Sequence, residues 1–133
     1  MALFTTYLSA VSAFGQKYTY YYIMRNRGND EVAPSSGLLQ TYKAGLITWE
    51  EYAKKYTEQI QTDPKAVAWI DKIAEEALLD DVVLVCFEKD QNHCHRSLLA
   101  LQITFRHPEV NYVGDLHPFN PFIENNPKEE KII

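Results

Sequence analysis

The chain has 133 residues, enough for one domain with a real core and too few for two. Hydrophobic residues make up 46% and charged residues 23%, the balance of an ordinary soluble globular protein, and no apolar stretch approaches the length that crosses a bilayer. The formal net charge of −5 removes the Lys and Arg surplus that non-specific nucleic-acid binding needs, while a few arginines can still hold a small anion locally.

Leu3 to Leu8 reads as a first strand, and the small residues from Ser9 to Gly15 as a short helix or turn. Lys17 to Arg25 is the first strong strand signal, because Tyr18, Tyr20, Tyr21, Tyr22 and Ile23 are types that fit a pleated surface. Arg25-Asn26-Arg27-Gly28-Asn29-Asp30 is a polar, turn-prone loop at the end of that strand. Pro34-Ser35-Ser36 opens a helix from about Ser36 to Ala44, which should end at Gly45, a residue type that tolerates a left-handed cap.

Thr48-Trp49-Glu50-Glu51 has capping-box spacing, with Thr48 as cap and Glu51 reaching back. Trp49, Tyr52, Tyr56 and Ile60 then fall near helical spacing and face the core. Asp63-Pro64 opens a third helix, with Ala66, Ile70, Ile73, Ala74 and Ala77 as its buried stripe. After a polar break at Asp80-Asp81, Val82 to Phe87 is apolar without alternation, which suits a strand covered on both faces. Glu88 to Asn92 is a polar loop, and a helix from about His93 to Phe105 carries Leu98, Leu99, Leu101, Ile103 and Phe105 until Pro108 stops it. Val110 to Val113 is a last short strand. Beyond Gly114 come Pro118, Pro121, Pro127 and the charged Lys128-Glu129-Glu130-Lys131, so the expectation is one domain over residues 1–114 and a partly ordered tail over 115–133. This order of elements predicts the α/β class: a small three-layer Rossmann-like domain with a mostly parallel sheet of about four strands flanked by helices.

Chemistry concentrates between Cys86 and Arg96, from the carboxyl end of a buried strand to the start of a helix. Open α/β sheets bind ligands at that edge. A helix start offers free N–H groups and positive potential, which suit an anion and lower the pKa of a thiol placed there. Cys94 is therefore a candidate thiolate with His95 and Arg96 as positive neighbours, and Cys94, His95 and Cys86 form the catalytic set. Cys86 taken alone reads first as a small buried hydrophobe of its strand. Arg25, Arg27, Glu88 and Arg96 are the ligand-binding candidates. Arg25 and Arg27 converge on Cys94 if their strand runs parallel to Val82–Phe87, and are otherwise solvated, as Glu88, Lys89, Asp90 and His93 would be in an ordinary loop.

The two cysteines are too few for the disulfide framework of a small secreted scaffold, and Met1-Ala2-Leu3-Phe4 has no basic leader followed by an apolar block. The cytoplasm is the expected location. Cys86, Cys94, His93 and His95 could supply four zinc ligands, but three are consecutive and the Cys-x-x-Cys spacing is absent, so no metal is expected. A Cys86–Cys94 disulfide would close a short loop for an entropic gain of only about 2.5 kcal/mol, and in a reducing cytosol it would be regulatory or absent. There is no glycine-rich phosphate loop and no dinucleotide fingerprint, so no cofactor is expected, and Arg96 follows Cys94 too closely for a cysteine phosphatase.

Cys86-Phe87-Glu88-Lys89-Asp90 followed by Cys94-His95-Arg96-Ser97-Leu98-Leu99-Ala100 resembles the signature of the domain of unknown function 488 family. Phe4-Thr5-Thr6-Tyr7 is similar to that family's opening strand, and Arg25 and Arg27 occupy its arginine-bearing loop. Ala33-Pro34-Ser35 with Leu38-Leu39 and Tyr42-Lys43, and Ile47-Thr48-Trp49-Glu50-Glu51-Tyr52, resemble its next two segments. Gln91 and Gly28 stand where the family often carries prolines. The resemblance runs from about Phe4 to Val113 and implies a small α/β domain with a parallel sheet. It implies no particular reaction.

Three functions compete. The first is an enzyme or nucleotide-processing protein, with the Cys94 edge acting on a small phosphorylated or nucleobase-containing ligand. The second is a non-catalytic module in which Arg25, Arg27 and Arg96 hold an anion and the cysteines are structural. The third is an interaction protein whose tyrosines form core and partner surface. Alkylation of Cys94 measured against pH separates the first from the second, and the first is preferred.

Overall fold

The computed structural model of the chain describes residues 1–116. The tail expected to be partly ordered therefore lies, from residue 117 on, outside the described residues. Four strands, β1 (Leu3–Tyr7), β2 (Thr19–Tyr22), β3 (Val82–Cys86) and β4 (Tyr112–Asp115), form one sheet in the order β2-β3-β1-β4. Every pairing is parallel. β3 is interior and every residue of it is buried, as its unbroken apolar run requires.

The two faces of β3 meet different layers. Val82, Leu84 and Cys86 pack with the helices, while Val83 and Val85 pack with Phe4, Val11, Phe14, Tyr18 and Tyr20. The second layer is thin: a 3-10 turn over Leu8–Ala13 and aromatic rings. The first holds α1 (Ser36–Lys43), α2 (Trp49–Thr62), α3 (Pro64–Ala77) and α4 (His95–Arg106). The result is a small α/β, Rossmann-like domain, parallel throughout its sheet. No described helix is long and apolar enough to cross a membrane.

Local chemistry sets the helix ends. The Glu51 N–H donates to Thr48 Oγ1 at 3.1 Å, and the Thr48 N–H donates to Glu51 Oε1 at 2.9 Å, completing the capping box of α2. Asp63 accepts from the Lys65 N–H at 3.0 Å and Pro64 stands at the first position of α3. Gly45, at φ 78°, follows the end of α1.

The structure moves several expected boundaries. β2 is shorter than Lys17–Arg25, because the chain leaves the sheet after Ile23 and the Asn29 side chain ties the loop back to the Tyr22 carbonyl. α4 starts at His95 rather than His93, because Asp90 caps a separate 3-10 turn over Gln91–His93. β4 sits two residues later than Val110–Val113, because the Val110 N–H is used in a turn onto the His107 carbonyl. Pairing then continues past Gly114, with the Leu116 N–H donating to the Thr5 carbonyl at 2.9 Å. Leu101 and Phe105, expected among the apolar residues of α4, are 57% and 76% exposed.

Candidate thiol site

β1 and β3 end level, with Tyr7 opposite Cys86, and Tyr22 of β2 stands opposite Val85. The loops after β2 and β3 therefore open on one edge. With α1 and α2 they enclose a cavity of about 390 Å3. Its walls include Met24, Arg25, Leu39, Tyr42, Lys43, Tyr52, Phe87, Glu88, Cys86, Cys94 and His95.

Cys86 is the last residue of β3, and Cys94 is the extended residue, φ −135° and ψ 145°, that precedes α4. Their sulfurs lie 2.6 Å apart, and both cysteines are free. His95 Nδ1 is 3.4 Å from Cys86 Sγ, and its Nε2 is 2.9 Å from the Ile23 carbonyl oxygen. A carbonyl only accepts, so Nε2 carries a hydrogen, and in the neutral ring Nδ1 turns a lone pair toward Cys86. Tyr56 holds the ring edge-on at 5.4 Å between centroids, and its own hydroxyl donates to the Val32 carbonyl at 2.6 Å.

The two thiols divide one easily lost proton. The Cys94 pKa is pushed far down by its hydrogen bond with Cys86, aided by His95 and the backbone N–H of Arg96 and opposed by burial. The Cys86 pKa is pushed up by the same bond and by burial. Burial also raises Tyr52 and Tyr56, which leaves both hydroxyls protonated at neutral pH.

Cys86, Cys94 and His95 also place three ligand atoms within 4.8 Å of one another. Adjacency did not keep Cys94 and His95 apart: Cys94 Sγ lies 2.6 Å and His95 Nδ1 3.4 Å from Cys86 Sγ. A tetrahedral zinc, however, holds two thiolates about 3.8 Å apart. The two sulfurs, 2.6 Å apart, would have to separate by about an ångström to hold one. His93 takes no part: its Nδ1 is 2.7 Å from Asp90 Oδ2 and its ring rests on Trp49.

The remaining candidates divide. Arg25 lines the cavity, donating to the Pro34 carbonyl at 3.0 Å and standing 3.7 Å from Asp30. Glu88 lines it too, paired with Lys43 at 3.4 Å. Arg27 is exposed and lies outside the wall. Arg96 is fully buried and faces away from the cavity. Its guanidinium forks onto Asp115 at 3.1 and 2.8 Å and donates to the carbonyls of Lys89, at 3.0 Å, and Glu88. Burial works against its charge and Asp115 outweighs that, so the arginine stays ionised. Thr5 also donates its hydroxyl to Asp115.

Sequence reasoning missed three members of this environment. Lys43 had one signal, a basic residue in the last turn of α1. Tyr52 was legible as core and does pack there, yet one side of it also forms cavity wall. Asp115 had none, since nothing in a Gly-Asp pair at a strand end announces a buried partner for a distant arginine.

Fold and site together define a parallel α/β domain with a buried dithiol–imidazole cluster at the carboxyl edge of its sheet. A family model described as DUF488-N3a, the active DUF488-N3 subclade, matches residues 25–107. That span exceeds half of the chain and contains the whole cluster, so the chain belongs to the domain of unknown function 488 family. No curated protein and no solved structure matches it.

Proposed function

We propose that the protein is an enzyme in which the Cys94 thiolate attacks a small anionic ligand held in the cavity. The observation that carries this reading is that Cys86, Cys94 and His95 form part of the wall of a cavity of about 390 Å3. Cysteines with only a packing role have no need of a solvent-connected void, an oriented imidazole and a helix start together. Arg25 and Lys43 supply positive charge at the mouth. Their ion pairs are half-exposed and contribute little, so an incoming anion can replace the carboxylates. Tyr42, Tyr52 and Phe87 give an aromatic wall suited to an apolar or planar portion of the ligand, which supports a phosphorylated or nucleobase-containing molecule as the ligand class. The matched subclade's description as active agrees with a working site.

Iodoacetamide alkylation tests this. The Cys94 thiol should react at a rate that stays high well below the ordinary thiol pKa of about 8.5. Cys86 should react more slowly, and phosphate or sulfate should slow Cys94 by occupying the Arg25 and Lys43 side. A Cys94 no faster than a free thiol, with no protection by either anion, overturns the reading.

A further inference from the structure

We propose that Cys86 and Cys94 are the two halves of a redox dithiol that reduces an organic hydroperoxide bearing an anionic group, with Cys94 attacking the peroxide and Cys86 resolving it. This rests on Cys94 being the nucleophile and adds a second catalytic thiol and a substrate class.

The first support is position. The two sulfurs are direct neighbours, 2.6 Å apart. Each is carried by a regular element, Cys86 at the end of β3 and Cys94 at the start of α4, so the approach is built into the fold. A thiolate that forms an acyl, alkyl or phosphoryl intermediate gains nothing from a second thiol in contact. Its adduct would be crowded by Cys86. A thiolate that forms a sulfenic acid needs such a neighbour.

The second support is the imidazole. His95 Nδ1 lies 3.4 Å from Cys86 Sγ, while Nε2 is fixed on the Ile23 carbonyl. The ring is set to take a proton from the thiol that must become the second nucleophile. The third support is access. Cys94 is 2% and Cys86 3% exposed, so only a narrow reactive end can reach them. A hydroperoxide presents one oxygen atom. A disulfide substrate would have to align two sulfurs with a buried one. Met24, Leu39, Tyr42 and Phe87 along the same cavity suit an organic group behind that oxygen.

The Cys94 thiolate attacks the terminal oxygen, the O–O bond breaks, and the alkoxide leaves and takes a proton from water to become an alcohol. Cys94 is then a sulfenic acid. Cys86 gives its proton to His95 and attacks the Cys94 sulfur; the S–O bond breaks, and the hydroxide leaves with that proton as water. The two thiols supply two electrons to the peroxide and become a disulfide. An external dithiol reduces it by exchange, which returns both thiols and is itself oxidised.

The test uses the reduced 133-residue chain with a fatty-acid hydroperoxide, whose carboxylate supplies the anion. Wild type should consume peroxide at least about tenfold faster than free cysteine at the same pH. Mass spectrometry should show the loss of two hydrogens and a peptide cross-linked through Cys86 and Cys94, reversed by dithiothreitol. Cys86→Ser should stop at a Cys94 sulfenic acid that dimedone traps, and Cys94→Ser should lose peroxide consumption. The wild-type cross-link does not depend on whether either variant folds. If Cys94 alkylates as a fast, anion-protected thiolate but peroxide yields no cross-link, the dithiol proposal fails and the nucleophile reading stands. If Cys94 is inert to both reagents, both fail. One equivalent of Zn2+ retained through dialysis with both thiols silenced would assign the cluster to a metal and overturn the dithiol.

Discussion

Cys86 and Cys94 pull in opposite directions on stability, and the signs make a measurable prediction. The Cys94 pKa is lowered in the folded chain, so its contribution is fully present above the unfolded thiol value of about 8.5 and is lost as pH falls. The Cys86 pKa is raised, so its contribution is present below about 8.5 and is lost as pH rises further. Stability of the reduced protein in urea should therefore climb from about pH 4 toward about pH 8.5 and then fall off. Cys94→Ser should flatten the climb; an unchanged slope would mean that Cys94 is protonated in the fold. At this scale the sequence singles out Cys94 and His95 through their place at a helix start, and the structure brings both side chains to Cys86. Arg96 misled, because contiguity suggested a shared target. A helix turns about 100° per residue, so a side chain two positions after Cys94 points to the far side of α4. The contact between Cys86 and Cys94 was not legible in detail, since it depends on where a strand end meets a helix start in three dimensions.

The elements follow local rules where those rules are strong. Thr48→Ala removes one half of the α2 capping box and should cost about 1 kcal/mol in denaturant unfolding. Leu84→Ala opens a void in the fully buried middle of β3 and should cost about 2–5 kcal/mol. A loss at Leu84 no larger than at an exposed site such as Leu79 would contradict the interior position of β3. These two elements were legible because a capping box and an unbroken apolar run are local signals. Val110 is apolar and buried, which suggests a strand two residues ahead of β4, yet it is buried in a turn. Leu101 and Phe105 were read as apolar surface of α4, but only one face of α4 reaches the core, and Leu99, Ala100 and Ile103 occupy it.

At the scale of the whole molecule, one buried ion pair joins the site to the far side of the sheet. Arg96 binds Asp115 of β4 and, with its remaining donors, the Glu88 and Lys89 carbonyls of the loop that leads to Cys94. The side chains are 0% and 8% exposed, so neither charge can fall back on water. Removing either partner strands the other, and Arg96→Ala or Asp115→Ala should each cost about 3–5 kcal/mol. Because both single changes break the same pair, the double variant should cost clearly less than their sum, with a coupling of about 1–3 kcal/mol in a double-mutant cycle. Arg96→Lys separates charge from geometry. It keeps a cation opposite Asp115 but loses the planar fork that also grips the two carbonyls. It should retain more stability than Arg96→Ala while loosening the β3–α4 loop, and so should lower the anion protection of Cys94 against iodoacetamide. Additive single costs, or an Arg96→Lys variant whose Cys94 is protected as in wild type, would show that Arg96 does not set the position of the thiol loop.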